Sequence, residues 1–334
     1  MTNARELGEA TISMLAGEHG RQKKELERLI EWLSAQDNKP DIVCLSNILL
    51  VGLAGNIKEE LGVPVVCMLQ DEDGFLDSLD SPYEEQAWQM ISDRAADVDT
   101  FISVSRYYAD FMQQKLQLEA DRMHVVYIGI SLDTHKANQP RDAVPKVPTI
   151  GFLSRMCSDK GLDMLVDAFI MLKKYENLKD LKLKIAGGKR ADDEEFITQI
   201  KRKLESFHLN HDVEFLHSFD QTTKLEFLRT LSVLSVPEKQ PVAYGLYVLE
   251  ALSAGVPVVQ PASGVFPELL EMTNGGVLFE PNNTGALAKA LEMFLINSDY
   301  SRNIGEKGRT AVLEKFNIEQ TAEEIVRIYK GIVH

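Results

Sequence analysis

At 334 residues the chain can hold two domains of ordinary size, and 44% hydrophobic with 26% charged residues is a globular composition. Asp and Glu number 51 against 36 Lys and Arg, a formal net charge of −15. So acidic a chain repels a phosphate backbone, which excludes non-specific nucleic-acid binding. Any bound phosphate must then be held by a few local cations and backbone N–H groups.

The N-terminus lacks a basic stretch followed by a long apolar run, and no segment reaches the ~20 apolar residues of a membrane span. The expectation is a cytoplasmic protein; peripheral membrane contact through a small apolar or basic patch stays open. Cys44, Cys67 and Cys157 form no C-x-x-C pair and read as buried free thiols in a reducing compartment. No H-E-x-x-H or Cys/His ligand spacing occurs, so no metal is expected. The lack of a G-x-S-x-G or Walker-type loop argues against a hydrolase or a P-loop kinase.

In chain order, helical patterns open the chain and cover 18–36, and strands are predicted at 41–45, 64–69, 101–104 and 124–127. A helix is predicted over 84–96. The acidic run from Gln70 to Gly74 follows the second strand and reads as a solvated loop. Segment 134–147 is polar, carries two prolines and lacks periodicity, which places the domain boundary there and an N-terminal domain at 1–140. Six further strands are predicted at 148–153, 181–186, 213–216, 232–236, 256–260 and 277–279. Between them run helical stripes such as Leu162, Leu165, Phe169, Leu172 and Leu287, Leu291, Phe294, Leu295. The fold class is therefore α/β, with a complete doubly wound, Rossmann-like sheet over 148–317. A last helix from 318 to 334 carries Ile325, Ile328, Tyr329 and Ile332 on one stripe and is available to dock on the first domain. Four strands are few for a sheet of this kind, so the expectation is an incomplete N-terminal domain lacking an initial β-α-β segment.

Three stretches can carry chemistry. In the first, a strand containing Gly151 runs into a loop with Arg155 and Lys160 and then into a helix that Ser158 and Asp159 can cap. Gly151 permits close backbone approach, and two cations beside a helix N-terminus suit a diphosphate; ordinary surface charges are an equal reading. In the second, Gly245 opens a helix that Gly255 closes, with Tyr244 just before it and the N–H groups near Gly245 and Leu246 suited to anionic oxygens. Glu250 on that helix reads either as a solvent-facing glutamate or as a bidentate acceptor for two ribose hydroxyls. In the third, Gly264 allows close approach to a ligand or makes a plain tight turn, and Glu268 favours the helix dipole.

Taken together and in order, Gly151 with Arg155, Lys160 and Gly161, then Gly245-Leu246 with Glu250 and the Ala-Leu-Ser-Ala-Gly-Val-Pro run, then Gly264 with Pro267-Glu268, resemble glycosyltransferase family 4, the group 1 retaining glycosyltransferases. The likeness is strong after Thr149 and looser from Asp41 to there. It implies a GT-B fold of two Rossmann-like domains, with the nucleoside-diphosphate sugar held by the C-terminal one and no required metal. By the same resemblance Arg155 and Lys160 match the diphosphate-binding, leaving-group-stabilising cations. Glu250 matches the second glutamate of an E-x7-E pattern, which binds ribose, and Gly245 and Leu246 match backbone donors near the sugar and phosphate. His217 lies where the nucleotide base packs in the family, although an ordinary loop histidine is the preferred reading.

Departures from the pattern are specific. The first glutamate of E-x7-E is replaced by Val242, which cannot accept a sugar hydroxyl's hydrogen bond; Glu238 stands four residues earlier. Cys44 replaces a histidine common in the family, and the glycine-rich loop after the family's first strand has no counterpart. The leading expectation is a retaining glycosyltransferase using a UDP- or GDP-linked sugar, with an unidentified carbohydrate, lipid or small-molecule acceptor. A nucleotide-sugar-binding homologue without transfer activity and a GT-B-fold sugar-nucleotide epimerase are the alternatives.

Overall fold

The structure is a computed structural model that describes residues 4–35, 39–131, 144–216 and 221–333. Its contacts divide the chain into two units, Met1–Tyr127 with Thr321–His334 and Ile128–Gln320. The predicted boundary segment lies largely at 132–143, outside the described residues.

The first unit holds strands β1 (Val43–Leu45), β2 (Val65–Leu69), β3 (Thr100–Ser103) and β4 (Met123–Val125), parallel and adjacent in chain order. Around them lie α1 (Ala4–Leu15), α2 (Lys23–Ser34), α3 (Ala54–Leu61), the single turn α4 (Asp73–Leu76), α5 (Tyr83–Arg94) and α6 (Arg106–Leu116). β2 and β3 are buried along nearly their whole length, as continuous apolar runs in a parallel sheet must be. Asn47 and Ser105 each turn the chain from a strand end into the next helical segment by accepting a backbone N–H, from Leu49 and Tyr108 respectively.

The second unit contains β5 (Thr149–Leu153), β6 (Lys182–Ala186), β7 (Val213–Leu216), β8 (Val233–Leu234), β9 (Val258–Pro261) and β10 (Gly276–Phe279). Its helices are α7 (Leu162–Leu172), α8 (Glu194–Ser206), α9 (Gln221–Arg229), α10 (Leu246–Ser253), α11 (Phe266–Thr273), α12 (Thr284–Leu295) and α13 (Ser298–Lys315). Among the described residues every strand pairing in this sheet is parallel, and the spatial order is β7-β6-β5-β8-β9-β10. Counted from β5, that is the 3-2-1-4-5-6 order of a doubly wound nucleotide-binding sheet. The reversal falls between β5 and β8, so the loops leaving these two strands flank the crevice where such sheets bind ligands.

The last helix, α14 (Ile318–Ile332), returns to the first unit from Thr321 onward. Ile328 joins Val66, Ile102 and Val126 in one core cluster, with Ile325, Tyr329 and Ile332 packed against it. The Thr321 hydroxyl donates to the Tyr127 carbonyl at 2.9 Å. All ten predicted strands exist, with ends shifted by at most two residues. The apolar stripes of α7 and α12 are buried as predicted.

Candidate functional site

The loop after β5 is built against two neighbours. Gly187, at φ +144°, brings its Cα so near the loop that an added Cβ would lie 1.9 Å from the Ser154 carbonyl oxygen. Gly161 stands at φ +68° with its own missing Cβ 1.9 Å from the Pro237 carbonyl oxygen, so only glycine fits there on both counts. Gly161 is itself the N-cap of α7, without a side-chain capping bond. The predicted caps are otherwise engaged: Ser158 Oγ accepts from Lys239 Nζ at 2.7 Å, and the Asp159 carboxylate lies 3.7 Å from Arg155 while its carbonyl accepts the Lys239 N–H at 3.0 Å. Lys239 Nζ also reaches Asp163 at 2.8 Å. The loops after β5 and β8, joined at the sheet's reversal, are thereby stitched together.

Within this frame Arg155 is half-buried, with its guanidinium 3.7 Å from both Asp193 and Asp159. The Cys157 thiol and these two carboxylates outweigh the opposing effect of burial and hold its pKa above the ordinary range. Lys160 Nζ donates to Glu238 Oε1 at 2.9 Å, and the Tyr247 hydroxyl donates to the same oxygen at 3.0 Å. Glu238 is only 4% exposed, whereas the Lys160 side chain keeps 30% of its surface in solvent. Burial pushes the Glu238 carboxyl above the usual carboxylate range, and the Lys160 ammonium opposes that rise.

Glu250 projects from α10 into a pocket of about 220 Å³ that Lys224, Leu225, Leu228, Leu246 and Ser253 line together with segment 128–131. Its side chain is 24% exposed and paired with Lys224 Nζ at 2.5 Å, so it is not the freely solvated glutamate of the alternative reading. Lys224 was not singled out in the sequence, because a lysine on α9, 26 residues from Glu250, carries no local pattern. Tyr244, Gly245 and Leu246 sit at the start of α10, with Gly245 as its N-cap and buried. A Cβ at Gly245 would approach the Phe266 ring at 3.0 Å.

Two glycines expected to face a ligand have other reasons to be glycine. Gly151 is buried inside β5, and the space of its missing Cβ is filled by Leu231 Cδ1 at 2.2 Å. Gly264, at φ +57°, lies under the Val242 backbone, whose N and O would stand 2.6 and 2.7 Å from an added Cβ. Val242 is buried and its carbonyl accepts the Val265 N–H at 3.0 Å. His217 lies outside the described residues. Glu268 falls in the first turn of α11, a position that favours its charge.

The acidic run after β2 is not uniformly solvated. Glu72 is 8% exposed. Its carboxylate accepts the Gln70 N–H at 2.7 Å, the Ile48 N–H at 3.4 Å and the Tyr108 hydroxyl at 3.1 Å. The same hydroxyl oxygen accepts the N–H groups of Glu72 and Asp73. Asp71 adopts φ +81° in this turn. Among the described residues no group of three or more His, Cys, Asp or Glu is placed to hold a metal ion, and no helix is long and apolar enough to cross a membrane.

Comparison with known proteins gives this arrangement a family. The model of the Glycosyl transferases group 1 matches residues 133–311, more than half of the chain, and that of Glycosyltransferase Family 4 matches 12–134. The N-acetyl-alpha-D-glucosaminyl L-malate synthase of Bacillus anthracis is 30% identical over 154 residues, 46% of this chain and 38% of that protein. The phosphatidyl-myo-inositol mannosyltransferase of Mycobacterium leprae is 26% identical over 233 residues, 69% of this chain and 59% of its own length. The chain thus spans less than two thirds of either relative. Among solved structures, Anabaena HepE in complex with UDP superposes with a TM-score of 0.76 at 14% identity, covering 92% of this chain and 82% of that one. Sucrose-phosphate synthase from Thermosynechococcus elongatus gives 0.74 at 18% identity, covering 95% and 81%. With two parallel α/β units and this match over both, the chain has the GT-B fold and belongs to the group 1 glycosyl transferases of family 4.

Proposed function

We propose that the protein is a retaining glycosyltransferase that takes a sugar from a UDP- or GDP-linked donor without a required metal. Arg155 and Lys160 bind the diphosphate, and Glu250 binds the ribose. The observation that carries this reading is the placement of both cations on the loop leaving β5, at the sheet's reversal, while Glu250 and Leu246 line a pocket on α10 in the same unit. Cleavage at the anomeric carbon leaves negative charge on the departing diphosphate, so cations held there in advance lower the barrier. The start of α10 adds backbone N–H groups suited to the same charge. HepE has been solved with UDP and with UDP-glucose, which supports a nucleoside-diphosphate donor for this chain as well. The acceptor is a carbohydrate, lipid or small molecule, and the site of action is the cytoplasm.

In this reading Lys224 is displaced from Glu250 when ribose arrives, or turns to a donor oxygen itself. Thermal unfolding of the chain with UDP, GDP, ADP and their sugars tests it. Ligand at about 100 times its dissociation constant stabilises by roughly 2.7 kcal/mol. A base-selective rise in Tm that vanishes in Glu250→Ala is the expected result; no rise with any nucleotide sinks the proposal. A second reading, donor binding without transfer, is favoured by one observation: Val242, buried and apolar, stands where the family has an acidic residue. Release of free nucleoside diphosphate from a bound nucleotide sugar, or its absence over long incubation, separates the two.

A further inference from the structure

We propose that Glu238 is a positioning residue of the donor site. With the Tyr247 hydroxyl, it holds the Lys160 ammonium at the sheet's reversal. This rests on the reading of the β5–α7 loop as a diphosphate site and goes beyond it.

The geometry joins three elements at one oxygen. Lys160 comes from the loop after β5, Glu238 from the loop after β8 and Tyr247 from the first turn of α10. The two loops cannot slide past each other: Gly161 lies against the Pro237 carbonyl, and Lys239 bonds the Asp159 carbonyl, Ser158 and Asp163. The pair is also asymmetric. The carboxylate is inside and the ammonium is partly in solvent, which is unlike a surface ion pair, where both partners are wet and little is gained. An ammonium has three N–H donors, and one going to Glu238 leaves capacity for phosphate oxygens on the solvent side.

A lysine on a flexible four-carbon stem is a poor fixed charge unless something restrains it. Glu238 supplies that restraint and offsets part of the charge, so the site gains a fixed ammonium at the expense of some net attraction for phosphate. Val242 leaves this unit without a carboxylate eight residues before Glu250. The acid four residues upstream does not stand in for it, because its Oε1 is turned inward onto Lys160 and Tyr247.

The test is calorimetric titration of the full chain with UDP and uridine, and with GDP and guanosine. The ratio of nucleoside to nucleoside-diphosphate dissociation constants reports the phosphate contribution alone. Lys160→Ala is expected to reduce that ratio about tenfold, the scale of one charge-assisted contact. Glu238→Ala is expected to reduce it about fivefold with nucleoside affinity unchanged. Glu238→Gln should restore it, because its amide oxygen still accepts from Lys160 and Tyr247. Glu238→Ala added to Lys160→Ala should cause no further loss. If Glu238→Ala does not fold, Tyr247→Phe serves instead, with a loss of about twofold for one weakened hydrogen bond. A ratio that holds in Glu238→Ala and Tyr247→Phe but falls in Lys160→Ala overturns the positioning role and spares the donor site. Losses that are additive with Lys160→Ala, or that weaken nucleoside binding equally, overturn it too. Absence of nucleoside-diphosphate binding to the unaltered chain sinks the donor reading and this proposal with it.

Discussion

The two units each bury one glutamate on the loop that leaves a parallel strand, and each glutamate accepts a tyrosine hydroxyl. Around Glu72 the other donors are the backbone N–H groups of Ile48 and Gln70, and Tyr108 ties the turn through two more N–H groups. Around Glu238 the second donor is a cation from a different loop. The first joins its own loop to the Ile48 N–H after β1 and to Tyr108 on α6, all through neutral donors. The second couples two loops and holds a charge that is still partly exposed. A buried carboxylate at a strand end is therefore not by itself a sign of chemistry; what it restrains decides.

That contrast can be broken by single substitutions. The largest effect is expected from Gly161→Ala, which puts a Cβ into the Pro237 carbonyl at a positive φ. A loss of about 3 kcal/mol in urea unfolding is expected, from backbone strain and displacement of the β8 loop. Lys160→Ala comes next, at about 2 kcal/mol near neutral pH, because it strips the charge partner from a buried carboxylate. The sign with pH is fixed. Without the ammonium, the folded-state pKa of Glu238 rises further above its unfolded value, so the native state of the variant binds that proton more tightly. The variant's deficit should shrink as pH falls towards the ordinary glutamate range and grow as pH rises through the raised value. A deficit independent of pH would show that the ion pair is not its source.

Tyr108→Phe should destabilise by about 2 kcal/mol, since it orphans two backbone N–H groups and one carboxylate bond. Tyr247→Phe should remove only about 1 kcal/mol, since Glu238 keeps Lys160. Equal losses at the two tyrosines would erase the distinction between the sites. The smallest effect is a slope. Burial raises the Glu72 pKa above its unfolded value, against the backbone N–H groups and Tyr108 that lower it. Its stabilising contribution is complete below the ordinary glutamate range and is lost as pH rises through the raised folded value. Glu72→Gln should flatten that part of the stability profile and leave nucleotide binding unchanged.

The strands themselves were legible in the sequence. Short, mostly apolar runs marked the strands, continuous in the buried β2 and β3 and interrupted by Lys or Glu in β6 and β7. The ordered glycines, cations and glutamate carried the family resemblance, since phosphate and ribose recognition requires those residue types beside helix starts. Local spacing also placed Gly245 at the start of α10. Other assignments could not be read that way. Gly151 and Gly264 looked like ligand-facing glycines, but Leu231 and the Val242 backbone fill the space beside them, and those contacts cross 80 and 22 residues of chain. Ser158 and Asp159 looked like caps, but the Ser158 hydroxyl accepts from Lys239 and the Asp159 carboxylate faces Arg155.

The sequence by itself determined the alternation of strands and helices, the sheet it implies and the family, because periodicity and short motifs are written within a few turns of chain. Only the tertiary structure decided that Glu250 meets Lys224, that Glu238 meets Lys160, that Glu72 is buried, and that α14 packs into the first unit's core. The physical reason is common to the three carboxylates. A charge pair or a buried carboxylate depends on which loops the sheet order brings together, and partners up to 78 residues apart leave no local trace of one another.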